Sequence, residues 1–143
     1  MEVTATLDTA ATPEALAAVV RDLGTYPDWL DIVGRAEPDG EGEWLVDLRG
    51  QLGPLRRTKR LRMLRTGDDP GHVRFERAEN DGRQHSPWEL DAALTTLAGG
   101  TRLTMRLHYG GSLWMPLLDR LLRDEIERSK PRLAAYLETT RRS

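Results

Sequence analysis

Turn-forming sequences recur at short intervals through the middle of this chain. They are Asp39–Gly42, Gly50–Pro54, Asp68–Gly71, Asn80–Gly82 and Ala98–Gly100, each rich in residues that tolerate a positive φ or fix a bend. The segments between them alternate polar with apolar residues, as antiparallel strands with one dry face and one wet face do. The spacing therefore predicts an antiparallel meander.

The segment Arg102–Tyr109 shows this alternation most clearly. Apolar or aromatic residues occupy every second position from Leu103 to Tyr109, and polar residues occupy the others. The same criterion gives about seven strands along the chain. They are Val3–Leu7, Ile32–Glu37, Trp44–Arg49, Leu55–Met63, Val73–Glu79, Trp88–Thr95 and Arg102–Tyr109.

A helix is predicted between the first two strands. Thr12 is a favourable N-cap residue, and Pro13 suits the first helical position, where a missing N–H costs nothing. The apolar stripe of this helix ends at Leu23, and Gly24 stands where a left-handed C-cap is expected. The following residues, Thr25–Leu30, predict a short turn or a one-turn helix.

The last predicted element is a long amphipathic helix that runs from about Leu113 to Glu138. It measures roughly 40 Å, whereas a strand of about nine residues measures roughly 30 Å, so the helix can cross a whole sheet. Pro131 is expected to kink this helix or to begin a second short one. The order of elements predicts an α+β fold, with residues 1–143 forming a single domain.

Composition narrows the classes of function. The formal net charge is -2, which provides no global field for nucleic acid or an anionic membrane, and the absence of cysteine excludes disulfides and thiolate metal sites. The segment Met1–Asp8 lacks the basic start and apolar run of a signal peptide, and no stretch has the length of a membrane span. We expect a soluble, cytoplasmic protein with no integral membrane segment.

Several short motifs follow one another along nearly the whole chain. They are Thr12–Glu14, Tyr26–Trp29, Gly53–Arg56, Trp88–Leu90 and Gly100–Thr104, and the leucine-rich final helix follows them. In this order they resemble the SRPBCC or START-like superfamily, especially its polyketide cyclase/dehydrase branch. The resemblance implies a helix-grip fold, in which a curved antiparallel sheet of about seven strands wraps a long C-terminal helix, with two short helices between strands 1 and 2.

A family built around a cavity implies a pocket between the sheet and the C-terminal helix. We expect a volume on the order of a few hundred cubic ångströms and a small hydrophobic or aromatic molecule as the partner. The alternative is that large side chains simply fill the interior. The apolar residues predicted to contact the ligand are Trp29, Trp44, Val46, Leu48, Phe75, Trp88, Leu90, Leu103, Met105, Leu107, Tyr109, Leu118 and Leu122.

Three cations also fall on the predicted inner face if the strands keep one register. They are Arg57, Lys59 and Arg77, and burying them is costly unless Glu79, another carboxylate or an acidic ligand pairs with them. The alternative is that they lie at the rim of the sheet and reach into water, since a bulge would reverse the register. Aromatase/cyclases of similar fold are thought to use an interior arginine, and Arg57 matches that strand position best.

The leading hypothesis is binding or carriage of a small hydrophobic molecule without a cofactor. A polyketide cyclase or aromatase is the second hypothesis, with Arg57, Tyr109 and His85 as candidate catalytic residues. A peptide- or protein-interaction module is the third. Two or more ionisable groups converging in the pocket would favour the enzyme, and the sequence does not indicate the oligomeric state.

Metal and nucleic-acid sites are not expected. His72, His85 and His108 lack the close spacing of metal ligands, and no serine lies in a nucleophile elbow. The basic run Arg56–Arg65 could form a strip for phosphates, but acidic residues on neighbouring strands can lie opposite its cations. We therefore predict a salt-bridged outer face there, and no nucleic-acid partner.

Overall fold

The computed structural model describes residues 2–52, 55–110 and 115–142. Within these ranges it describes all side chains except those of residues 50–52, 55–57, 115–119 and 141–142. Strand β1 is Glu2–Thr9, helix α1 is Pro13–Val20, and a 3₁₀ helix covers Leu23–Asp28. The remaining elements, in chain order, are β2 Val33–Pro38, β3 Glu43–Leu52, β4 Leu55–Asp69, β5 His72–Arg77, β6 Trp88–Leu97, β7 Gly100–Tyr109 and α2 Met115–Arg142.

The strands form one antiparallel sheet in the order β1-β7-β6-β5-β4-β3-β2. Strands β2 to β7 are a meander, because each pairs with its neighbour in sequence, and β1 closes the sheet beside β7. The sheet is curled, and α2 lies across its inner face and contacts β1 and α1. The predicted α+β helix-grip fold is confirmed.

Cross-strand register decides which side chains point inward. Val46 pairs with Leu61 and Trp44 with Met63, and all four are buried, so they belong to the inner face. Asp47 pairs with Arg60, which lies on the opposite, outer face. Alternation therefore separates one dry face from one charged face, as the sequence predicted.

Helix α1 begins where the sequence predicted and ends earlier. The Thr12 hydroxyl accepts a hydrogen bond from the Ala15 N–H at 3.1 Å, which makes Thr12 the N-cap. The C-cap prediction for Gly24 is wrong, since Gly24 lies inside the 3₁₀ helix and has no positive φ. The Asp22 carboxylate accepts from the Gly24 N–H at 2.9 Å and begins the new helix there.

Helix α2 continues through Pro131 as one element of 28 residues, about 42 Å long. Its inner stripe is buried at Leu122, Leu133 and Leu137, with Ser129 between them on the same face. No helix within the described part of the chain is both long and apolar enough to cross a membrane.

Candidate functional site

A partly enclosed cavity of about 110 Å³ lies between the inner face of the sheet, the 3₁₀ helix and α2. Every strand except β5 contributes at least one side chain to its wall. The described wall residues are Val3, Leu23, Tyr26, Trp29, Leu30, Ile32, Val33, Val46, Leu48, Leu61, Met63, Trp88, Leu90, Met105, Leu107, Leu122, Ile126 and Ser129. The volume falls short of the few hundred cubic ångströms expected from the sequence.

Aromatic side chains from the 3₁₀ helix and the residue after it form one end of the wall. The rings of Tyr26 and Trp29 lie 4.5 Å apart, and both residues are about 1% exposed. Their polar atoms are held by the protein, because the Tyr26 hydroxyl donates to the Val20 carbonyl at 2.8 Å and the Trp29 indole N–H donates to the Thr25 hydroxyl at 3.4 Å. Burial raises the pKa of the Tyr26 phenol far above its ordinary value.

The side of the cavity formed by α2 carries the one aliphatic hydroxyl among the described wall residues. Ser129 is 6% exposed, and its hydroxyl donates to the Ile126 carbonyl at 2.7 Å on the same helix. Leu122 and Ile126 provide the rest of this side. The described wall therefore carries no carboxylate, imidazole, ammonium or guanidinium, so the cavity suits an apolar molecule.

The structure brings together many of the apolar residues that the sequence predicted as ligand contacts. Those on the cavity wall are Trp29, Val46, Leu48, Trp88, Leu90, Met105, Leu107 and Leu122. The wall also includes residues that the prediction omitted. Leu61 and Met63 follow the strand alternation, and Ile126 and Ser129 follow Leu122 at helical spacing, so these could have been found.

Four other predicted contacts lie in the core, outside the cavity wall: Trp44, Phe75, Leu103 and Tyr109. Phe75 is fully buried between Tyr26 and Trp44, at ring distances of 6.3 and 5.6 Å. Tyr109 stacks on Trp88 at 5.5 Å and is likewise fully buried. Leu103 is 2% exposed. Large neighbours cover these side chains, although their strand positions point them inward.

The predicted inner-face cations differ in their surroundings. Arg77 follows Phe75 on the inner face of β5, its side chain is only 7% exposed, and its Nε donates to both Glu79 oxygens at 2.8 and 2.9 Å. Lys59 precedes Leu61 on β4 and is exposed. Neither is on the cavity wall. The side chains of Arg57 and Leu118 lie outside the described residues.

The candidate proton-transfer groups do not meet in the cavity. His85 lies between β5 and β6, where its Nδ1 is 3.1 Å from Arg77 Nη2 and its Nε2 is 2.9 Å from an Asp81 oxygen. His108 pairs with Glu2 and Glu89 across the sheet, on the outer face. Among the described residues no three histidine or carboxylate side chains are grouped as a metal site would require.

Comparisons with known proteins agree with this architecture. The profile of the family described as "Polyketide cyclase / dehydrase and lipid transport" matches residues 1–138. No curated protein is a significant match.

Solved structures with the same fold cover almost the whole chain. A conserved protein from Geobacillus kaustophilus is 15% identical with a TM-score of 0.76, and the match covers 98% of this chain and 97% of the other. A START superfamily protein from Mycobacterium smegmatis is 17% identical with a TM-score of 0.71, covering 97% and 98%. A protein from Thermus thermophilus is 18% identical with a TM-score of 0.72, covering 98% and 99%.

Proposed function

Because the chain belongs to the polyketide cyclase / dehydrase and lipid transport family, we propose that it binds a small hydrophobic molecule in the cavity between sheet and α2. The START-like fold and the family support binding of a hydrophobic ligand in general. The observation that carries the proposal is the apolar wall, in which the polar atoms of Tyr26, Trp29 and Ser129 are already hydrogen-bonded within the protein.

The size of the cavity restricts the ligand. At about 110 Å³ it is comparable with an apolar cavity of roughly 150 Å³ that binds benzene. A lipid chain or a poly-β-keto chain is larger than this space. The proposed ligand therefore has an apolar part of about one aromatic ring or a short branched alkyl group.

The cyclase hypothesis requires ionisable groups that converge on the substrate. The only ionisable group on the described cavity wall is the Tyr26 phenol. Burial and the hydrogen bond to the Val20 carbonyl keep this phenol protonated. Cyclase activity stays a prediction, because its central residue Arg57 is outside the described side chains. The binding proposal needs no such group.

Binding of small apolar probes tests the proposal directly. Benzene, toluene and naphthalene form a series of rising size, and a probe present at about 100 times its Kd adds about 2.7 kcal/mol of stability if it binds only the folded state. We expect the single-ring probes to raise the melting temperature and naphthalene to have a smaller effect. No change with any probe would contradict the proposal.

A matched pair of variants on β6 locates the binding. Leu90 is on the cavity wall, and Leu94 lies on the same face of the same strand but outside the wall. Leu90→Phe should fill part of the cavity and abolish probe binding, whereas Leu94→Phe should leave binding intact. Calorimetry on both variants, with melting curves to verify folding, separates cavity binding from binding to the surface.

A further inference from the structure

Trp88 stands at the end of a row of cavity residues on β6 and β7. It lies two residues before Leu90 on the same face of β6, and Leu90 pairs across the strands with Leu107. All three side chains are on the cavity wall. The indole of Trp88 therefore borders the space that the proposed ligand would occupy.

The surroundings of this indole fix its position. Its ring stacks on the Tyr109 ring, with 5.5 Å between the centroids and 26° between the planes. The strand pair is closed immediately beyond it, because the Gly110 N–H donates to the Pro87 carbonyl at 3.0 Å. A Cβ at Gly110 would lie only 2.7 Å from Pro87 Cδ, so the two backbones pack tightly there. The indole N–H is thus held in one place beside the cavity.

This N–H has no acceptor within the described protein. Trp88 is 8% exposed, and its indole N–H is buried without a hydrogen-bond partner among the described residues. The other polar side chains of the described wall, those of Tyr26, Trp29 and Ser129, each donate to an acceptor of the protein. Native proteins leave few buried donors unpaired, so the Trp88 N–H calls for an acceptor from another source.

The wall restricts the kind of acceptor that fits. It carries no cationic side chain among the described residues, so an ionised carboxylate would be buried there without a counter-charge, which is costly. An indole supplies one donor and no acceptor. A carbonyl or ether oxygen accepts that donor and brings no proton that would need a further partner. The site therefore favours a neutral acceptor over an acid.

We propose that the Trp88 indole donates a hydrogen bond to a carbonyl or ether oxygen of a small neutral ligand whose apolar part occupies the cavity. This inference rests on the proposed function, since it names a polar group of the same ligand. The N–H is buried beneath the surface of the wall, so the acceptor reaches it through a small shift of neighbouring side chains, and such changes are common on binding. The new hydrogen bond removes the cost of an unpaired donor and so favours the complex.

Two probes of the same shape test the inference. Cyclohexanone carries a carbonyl oxygen, and methylenecyclohexane has a CH₂ group in its place; both are titrated calorimetrically into the whole protein. The measured quantity is the Kd of methylenecyclohexane divided by the Kd of cyclohexanone. Comparing this ratio between two proteins cancels the different hydration of the probes. Trp88→Phe should lower the ratio about fivefold relative to the wild-type protein, because it removes one hydrogen bond to the ketone.

Trp29→Phe is the matched control. Trp29 is also an indole on the cavity wall, but its N–H already donates to the Thr25 hydroxyl at 3.4 Å. The loss of ring volume affects both probes alike, so this variant should keep the wild-type ratio. An unchanged ratio in Trp88→Phe, or an equal fall in both variants, would overturn the inference while leaving apolar binding intact. Failure of both probes to bind the wild-type protein would count against the proposed function itself, and the inference would fall with it.

Nuclear magnetic resonance tests the same hydrogen bond in the wild-type protein, without relying on the folding of a variant. The indole N–H signal of Trp88 is assigned by its contacts with the Tyr109 ring. Cyclohexanone should move this signal downfield, because a hydrogen bond deshields the proton, and methylenecyclohexane should move it much less. The same shift with both probes, or no downfield shift with bound cyclohexanone, would overturn the inference.

Discussion

The two faces of the sheet handle charge in different ways. On the outer face of β4, Arg60 donates to Asp47 at 2.8 Å and Arg62 donates to Glu43 at 2.7 Å, so each cation has a carboxylate on the neighbouring strand. On the inner face of the same strand, Lys59 has no ion-pair partner among the described residues. Lys59 is exposed, so water solvates its ammonium, and the inner face depends on apolar side chains instead of ion pairs.

The outer face also contains a buried charge, and the protein satisfies it fully. Asp91 is 8% exposed and accepts hydrogen bonds from Arg74 at 2.8 Å, from His72 at 2.9 Å and from Arg106 at 3.4 Å. Arg74 also reaches Glu89 at 3.0 Å. Networks of this kind hold strands in register, whereas the inner face depends on apolar burial.

The largest expected effect comes from the inner face. Phe75→Ala should destabilise the protein by about 3–5 kcal/mol, because it removes a fully buried ring from between Tyr26 and Trp44. Urea denaturation measures the loss. Phe75→Leu, which keeps much of the volume, should cost clearly less. A loss below about 1 kcal/mol for the alanine variant would show that the aromatic cluster is not the centre of stability.

An intermediate effect is expected from the outer network. Asp91→Asn should cost about 1–3 kcal/mol, because Arg74 and Arg106 lose a charged acceptor while Arg74 keeps Glu89. Glu89→Gln on the same strand is the matched control and should cost less, since Glu89 is more exposed. Equal losses in both variants would mean that the burial of Asp91 is not what matters.

The strands could be predicted from the sequence because their alternation is a local property with a period of two residues. The same pattern restricts the register of β3 against β4, since a slip of one residue would turn Leu61 outward while Val46 stays inside. Gly24 was mispredicted because the Asp22 side chain competes for its backbone N–H. A rule that assigns a C-cap to a glycine from its residue type alone takes no account of this hydrogen bond from a neighbouring side chain.

The cavity wall was less predictable than the sheet. Leu30 follows the 3₁₀ helix in a segment without regular spacing, so no periodicity marks it as inward-facing. Conversely, Trp44 and Phe75 occupy strand positions that face inward, as predicted, but they pack against each other and leave no space for a ligand. Parity indicates the face of a side chain, and three-dimensional packing decides where a void remains.

Acid should weaken the outer network. Burial alone would raise the pKa of Asp91, but hydrogen bonds and charge from Arg74, with bonds from Arg106 and His72, hold it below its ordinary value. A lowered folded-state pKa contributes stability that is fully present above the unfolded-state pKa of about 4 and is lost as the pH falls through the folded-state pKa. Urea midpoints between about pH 7 and pH 3 should therefore fall less steeply in Asp91→Asn than in the wild-type protein. Parallel curves would contradict this assignment.

The smallest effect is expected where an ion pair is fully in water. Arg60 is 61% exposed, so its attraction to Asp47 is screened by solvent and salt, and Arg60→Gln should leave the melting temperature unchanged. Arg62→Gln on the same face should lower it, because Arg62 is only 17% exposed and also donates to the Ala78 carbonyl at 2.8 Å. If Arg60→Gln melted several degrees lower, the exposed pairs of the outer face would contribute to stability in the same way as its buried network. The two faces of the sheet would then differ less than the structure indicates.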